Sequence, residues 1–272
     1  MRLTAMNGYA DFHIHSKESD GTLTPDEIAK EAKRLGLVAF AISDHDTIKG
    51  ILDVKNCVPA IELGTNFDGK DIHILGYLIN TTDEKLLREI DKQRINRMRR
   101  MEYTLDVAEK EGIYVTMDDV KRFAEGESIG RPHIARAIME KEGMKITENS
   151  FHNFFKDNFN EGGKFYVKRE KMGTSKAIET IRGANGIAVL AHPGKTKNDE
   201  IIPYLVKEGL EGLEVYYPSH DAAAVERYKA IAIANDLLMT GGSDSHGPST
   251  PIGCANAPAE IYEKMLMRKE GL

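Results

Sequence analysis

At 272 residues the chain is long enough for one large domain or a domain carrying an insertion. A net charge of −6 with 29% charged residues argues against general affinity for nucleic acid, which wants a basic surface, but leaves room for a locally positive site built from metal ions. Cys57 and Cys254 are the only cysteines and lie far apart, which excludes a disulfide scaffold; no apolar run approaches the ~18 residues of a membrane span, and residues 1–9 lack a signal-peptide core, so the expectation is a cytoplasmic protein with no membrane contact.

Residues 9–14 read as a first strand, ending in Asp11-Phe12-His13-Ile14-His15. A strand alternates faces with period two, so His13 and His15 project from one face, a natural half of a metal site. Thr24-Pro25-Asp26-Glu27 combines a cap, a first-turn proline and a capping box, and starts a helix that Gly36 stops. Leu37 to Ile42 is a continuous apolar run suited to a parallel strand buried on both faces. Strand, helix and strand make a βαβ unit, and His45 falls just past the C-terminal end of its second strand, where parallel α/β sites collect. The runs 58–63 and 71–77 read as strands joined by an Asp68-Gly69 turn, which places Glu62 and His73 on antiparallel neighbours.

From about residue 82 to 165 the pattern turns helical, with no clear strand. Leu87, Ile90, Met98, Met101, Leu105 and Ala108 recur at helical spacing, and Lys92, Arg94, Arg97, Arg99 and Arg100 lie on the other face. That basic face reads first as solvated, with a phosphate funnel as the alternative. Helices are also expected from Thr116, over 132–142 and over 147–158. The α/β rhythm then resumes, with strands at 186–191, 213–217 and 237–240 alternating with helices over 175–182, 201–208 and 222–235. Two of these strands lead directly into His192 and Asp244, a barrel-like recurrence of polar groups at C-terminal strand ends. The expected division is a barrel of residues 1–81 and 166–272 with an inserted helical subdomain over 82–165.

Nine His, Asp and Glu residues stand at these strand ends: His13, His15, Asp20, His45, Glu62, His73, His192, Asp244 and His246. Six imidazoles and three carboxylates suit zinc, manganese or iron, whereas calcium or magnesium would want mostly oxygen. Nine donors are too many for one ion. Three ions at about five ligands each need roughly fifteen positions, so open positions remain for water and substrate, and open positions mean catalysis. Three dications bring about +6 against the −3 of the carboxylates, a surplus that would draw in phosphate and hydroxide. A hydroxide bridging two ions could then attack phosphorus in line.

These motifs resemble the PHP (polymerase and histidinol phosphatase) superfamily. The resemblance rests on Asp11-Phe12-His13-Ile14-His15 with Ser19-Asp20-Gly21, on Ser43-Asp44-His45-Asp46-Thr47, on Glu62 and His73, on Ala191-His192-Pro193 and on Ser243-Asp244-Ser245-His246. It implies a distorted (β/α)7 barrel with three divalent metal ions at its C-terminal mouth. It further implies that His13, His15, Glu62 and Asp244 hold one ion, that Glu62 bridges to a second with His73 and His192, and that Asp20, His45 and His246 hold the third. Gly130-Arg131-Pro132-His133 and Glu214-Val215-Tyr216-Tyr217-Pro218-Ser219-His220 are similar to the nucleotide-phosphatase branch. The expected activity is therefore hydrolysis of AMP or of 3′,5′-bisphosphate nucleotides, with no protein partner. Arg131, whose guanidinium forks onto phosphate, His133 at a helix start, His220 beyond a strand and Lys195 after His192-Pro193 are the candidate substrate contacts, Arg131 and His220 the catalytic ones. The alternatives are a histidinol-phosphate-type phosphatase, a 5′–3′ exoribonuclease acting on short RNA and, from another class, a non-catalytic metal-binding regulator.

Overall fold

The computed structural model describes residues 8–196, 198–255 and 257–271. The chain runs β1 (Tyr9–Ile14), α1 (Pro25–Arg34), β2 (Ala39–Ile42), β3 (Cys57–Phe67) and β4 (Lys70–Tyr77). Four helices follow: α2 (Glu84–Lys110), α3 (Met117–Lys121), α4 (Arg131–Lys141) and α5 (Glu148–Phe159). Next come β5 (Met172–Gly173), α6 (Thr174–Gly183), β6 (Ile187–Leu190), α7 (Pro193–Thr196), α8 (Ile202–Lys207), β7 (Gly212–Tyr216), α9 (Ala222–Ala234), β8 (Leu238–Gly241), β9 (Ala257–Pro258) and α10 (Glu260–Glu270).

The strands form one sheet in the order β8-β7-β6-β4-β3-β2-β1-β9, with β5 beside β3. β1, β2 and β3 are mutually parallel, as are β6, β7 and β8, and β4 runs antiparallel between the two sets. The ends meet where the chain leaving β8 reaches β1: Asp244 N–H donates to the His13 carbonyl (2.7 Å), and His15 N–H donates to the Ser245 carbonyl (2.9 Å). Gly242 makes that closure possible, since a Cβ there would collide with the backbone of His13. The result is a distorted α/β barrel of seven strands, β1–β4 and β6–β8, with β4 reversed, the two-residue strands β5 and β9 alongside, and a helical block.

Alternation sorts the core into layers. Phe12, Ala41, Ala60, Leu75, Tyr77 and Val189 pack in one cluster inside the barrel, with Ile261 and Met265 of α10. Ile14, Ile28, Ile42, Ile61, Ile74 and Leu213 belong to another, between strands and helices. Phe12 and Ile14 are two residues apart yet fall in different clusters, because the pairing of β1 with β2 shifts register between Asp11 and Ile14. Such a bulge re-aims side chains beside a site. The helices α2 to α5 enclose a third cluster, in which Met101, Val120, Ile138, Phe159 and Phe165 are buried.

Local signals explain the element ends. Thr24 and Glu27 form the expected capping box on α1, and Gly36 takes the left-handed conformation beyond it. The apolar run from Leu37 enters the sheet only at Ala39, and β3 extends to Phe67, four residues beyond the expected end. The C-terminal helix α10 buries Ile261 and Met265 against the barrel strands. No helix among the described residues is long and apolar enough to cross a membrane.

Candidate metal centre

The nine donors expected from sequence are gathered at the C-terminal mouth of the barrel. His13 and His15 come from the end of β1, Glu62 from β3, His73 from β4, His192 from the end of β6, and Asp244 and His246 from the loop after β8. Asp20 lies in the loop after β1 and His45 follows β2. Three sets bring their donor atoms within 4.8 Å of one another: His13, His15, Glu62 and Asp244; His15, Asp20, His45 and His246; and His45, Glu62 and His73. His192 adds Nε2 at 3.1 Å from Glu62 Oε1. His15 and His45 thus belong to two sets each, a sharing that the family pattern does not assign them.

Glu62 is the hub. Its Oε2 lies 3.4 Å from His13 Nε2, 3.3 Å from His15 Nε2 and 2.8 Å from His45 Nδ1, and its Oε1 lies 2.8 Å from His73 Nδ1. Burial alone would raise this carboxyl, but His45, His73 and His13 hold it well below the usual carboxylate range. Asp20 and Asp244 are held low in the same way, Asp20 chiefly by His246 and His45, Asp244 by His13 and Lys195, each against its burial. Burial pushes His45 down to about 4, whereas Asp244 and Glu62 overcome burial at His15 and push it up to about 10.

The donor set fits divalent ions. His13 Nε2 and His15 Nε2 face each other at 3.1 Å, and Glu62 Oε2 and His45 Nδ1 are both buried without a hydrogen-bond partner despite their short separation. Asp20 Oδ1 is also buried and unpartnered. Buried polar atoms are almost always paired, so short contacts out of hydrogen-bonding geometry mark atoms aimed at shared cations. Asp46, His192 and Asp244 further take left-handed backbone conformations, rare for residues other than glycine and concentrated at functional sites.

Carboxylates behind the imidazoles set their tautomers. His13 Nδ1 donates to Glu214 Oε1 at 2.9 Å, which leaves Nε2 for the mouth, and Glu214 Oε2 accepts from the His192 backbone at 2.7 Å. His73 Nε2 lies 3.2 Å from Asp71, leaving Nδ1 toward Glu62. Metal-ligating histidines usually carry such a carboxylate on the far nitrogen. The roles of Glu214 and Asp71 were missed from sequence. The available signal was a lone carboxylate inside the apolar strand run Leu213-Glu214-Val215. Asp44 sits one layer back and accepts from Ser16 and Ser19 hydroxyls, both at 2.6 Å.

The four expected substrate contacts divide. Lys195 lines a mouth cavity of about 340 Å³ with His45, His73, His192 and His246, and its Nζ lies 2.7 Å from Asp244 Oδ2. Tyr217 donates to the same oxygen at 2.8 Å. Arg131 lines a smaller adjoining cavity with Asp20, His45 and His73, and donates to the Phe159 carbonyl at 3.1 Å. His133 faces a separate cavity on another side of Asp20, and its Nδ1 accepts from Gly130 N–H at 2.9 Å. His220 has both ring nitrogens engaged by backbone: Nδ1 donates to the Val215 carbonyl (2.9 Å) and Nε2 accepts from Gly194 N–H (3.2 Å). It braces the loop after β7 against the start of α7, and no ring nitrogen is left for phosphate in this arrangement. The solvated reading of the basic face on α2 also needs correction. Lys92 and Arg99 are exposed, but Arg97 and Arg100 are buried and turn toward the mouth.

The chain is similar to known proteins over most of its length. The PHP domain family model matches residues 11–234. A 5′–3′ exoribonuclease of Haemophilus influenzae is 32% identical over 252 residues, covering 88% of this chain and 90% of that protein. A 3′,5′-nucleoside bisphosphate phosphatase of Chromobacterium violaceum is 29% identical over 255 residues, covering 88% and 87%. A solved structure from Bifidobacterium adolescentis, described as a candidate metal-dependent phosphoesterase, superposes with a TM-score of 0.86 at 27% identity, covering 97% of this chain and 98% of that one. The family model spans well over half of the chain, and on it the chain belongs to the PHP domain family, as a metal-dependent phosphoric ester hydrolase.

Proposed function

We propose that the protein removes phosphate from nucleotides, either AMP or a 3′,5′-bisphosphate nucleotide, at the barrel mouth. The observation that carries this reading is the set of interlocked imidazoles and carboxylates on the floor of a 340 Å³ cavity, with cationic side chains around it. In this reading His13, His15, Glu62 and Asp244 hold one divalent ion, Glu62, His73 and His192 a second, and Asp20, His45 and His246 a third, the ions being manganese, iron or zinc. When bound, these ions supply Lewis acidity toward a phosphoryl group.

The chain's own groups do the rest. Glu214 and Asp71 fix the tautomers of His13 and His73, so that each presents a lone pair to the mouth. Lys195 and Tyr217 hold the outer oxygen of Asp244, and Lys195 adds a positive charge at the rim where a phosphate enters. Arg131 offers a planar fork to phosphate. The helical subdomain, residues 82–165, covers one side of the mouth and selects the substrate. His220 braces the short helix α7, which carries Lys195.

A cavity of about 340 Å³ lies at the lower end of small-ligand sites, which favours a mononucleotide over a longer chain. The C. violaceum relative, named for a nucleoside bisphosphate, supports the same substrate class. The H. influenzae relative favours a second reading, trimming of short RNA from its 5′ end. Phosphate or nucleotide release with added manganese separates them, using AMP, adenosine 3′,5′-bisphosphate, histidinol phosphate and a short 5′-phosphorylated RNA. The expected result is highest turnover of the bisphosphate or AMP. Turnover of the RNA alone would establish the second reading, and no turnover of any of them by metal-loaded protein would overturn both.

A further inference from the structure

We propose that Gly126 is a positioning residue for the third ion: the segment joining α3 to α4 seats on the turn that carries Asp20, and the helical block thereby sets how tightly that ion is held. The inference rests on the assignment of Asp20, His45 and His246 to a third ion in the function proposed above.

Asp20 is the one carboxylate in its donor set, beside His15, His45 and His246. Its Oδ1 lies 3.3 Å from His246 Nε2 and is buried without a hydrogen-bond partner, so the carboxylate is placed by the backbone that carries it. That backbone, residues 16–21, is a tight turn in which the Ser19 and Gly21 N–H groups both donate to the Ser16 carbonyl, at 3.1 and 2.9 Å. From the barrel, Asp44 holds the start of the turn, accepting from the Ser16 N–H at 2.7 Å and from the Ser16 and Ser19 hydroxyls.

The helical block holds the same turn from outside the barrel. Ser128 N–H donates to the Glu18 carbonyl at 3.0 Å, and Lys17 Nζ lies 3.0 Å from Glu125 Oε1. Between these contacts Gly126 packs directly on the turn. A Cβ there would overlap Glu18 Cα and the Lys17 carbonyl, backbone atoms that cannot swing aside as a side-chain tip would. Gly126 is not in the left-handed region, so its lack of a side chain serves this close approach. Backbone thus meets backbone two residues before Asp20. At the end of the same segment Gly130 comes close to the carboxylate itself, since a Cβ there would lie 3.9 Å from Asp20 Oδ2. The other two ions take their carboxylates from Glu62 on β3 and Asp244 after β8, neither of which this seam touches. Moving the seam therefore bears on one ion of the three.

The test titrates metal-free wild type, Gly126→Ala, Glu125→Lys and Asp20→Asn with Mn²⁺ by calorimetry. Asp20→Asn identifies the third ion as the one it loses. Gly126→Ala is expected to hold that ion about 10- to 100-fold more weakly, the usual cost of disturbing a group that orients a metal ligand, and to hold the other two as the wild type does. Its phosphate release from AMP falls at limiting manganese and recovers in excess manganese, a rescue that a general loss of fold would not give. Glu125→Lys sets a like charge against Lys17 at the exposed rim of the seam and is expected to weaken the same ion roughly two- to fivefold. This variant decides the matter if Gly126→Ala fails to fold. Wild-type affinity for all three ions in the folded variants overturns the coupling, and so does an equal loss of all three. A wild type that binds only two ions, with Asp20→Asn unchanged, overturns the three-ion assignment and the coupling with it. A third ion that depends on Gly126, in a protein that hydrolyses no nucleotide, supports the coupling and overturns the nucleotide reading alone.

Discussion

Replacing Glu62 with Gln is expected to reduce kcat/KM on the order of a thousandfold and to lower the bound metal content, with the fold intact. The carboxylate is fully buried, and its two oxygens reach five imidazoles, His13, His15 and His45 through Oε2 and His73 and His192 through Oε1. An amide of the same shape carries no charge and presents an N–H toward one of those groups. Two of the three candidate donor sets contain Glu62, so each loses one negative charge at once. The Lewis acidity at stake is worth several kcal/mol of transition-state stabilisation, and each ~1.4 kcal/mol is tenfold in rate. Metal analysis beside steady-state kinetics checks this. Wild-type turnover at limiting metal would remove Glu62 from the centre.

The second large effect is on stability. Asp46→Ala is expected to lower the thermal midpoint by roughly 10 °C, from a loss of about 3–5 kcal/mol when one partner of a buried ion pair is removed. Arg97 Nε lies 2.6 Å and Arg169 Nη1 2.9 Å from Asp46 Oδ2, and all three residues are buried. Oδ1 meanwhile accepts from Gly64 N–H at 3.1 Å. Arg97 comes from α2 and Arg169 from the segment leading into β5, so the carboxylate next to His45 pins both to the barrel mouth. Burial would raise the Asp46 carboxyl, but Arg97 and Arg169 hold it below its ordinary value of 3.8. Its contribution is therefore fully present above about pH 4 and is lost only as pH falls further. The deficit of Asp46→Ala should thus be constant from pH 5 to 8 in thermal melts. A midpoint within two degrees or so of wild type would contradict the pairing.

The barrel and its mouth were legible because two local rules carry far. Alternation with period two puts His13 and His15 on one face, and apolar runs ending in polar groups mark strands that enter a mouth. The Thr24 capping box and the Asp68-Gly69 turn fixed the ends of α1 and of the β3–β4 hairpin for the same reason: their chemistry is local. What stayed hidden depends on distant partners. Arg97 and Arg100 read as solvated because a charged helical stripe looks alike whether it faces water or a buried carboxylate. Asp46 as the counter-ion of Arg97 lies 51 residues away, and Glu214 meets His13 across 201. The bracing contacts of His220 stayed hidden because its backbone partners, Val215 and Gly194, carry no sequence signature. The short β9 pairs antiparallel with β1 over only two residues, too few for any periodicity.

The most direct test of the whole account is phosphate release from adenosine 3′,5′-bisphosphate and AMP before chelation, after chelation, and after manganese is restored. The account predicts that activity disappears with the metal and returns with it, in the same chain and without refolding. Undiminished phosphate release from protein shown to be metal-free would contradict it.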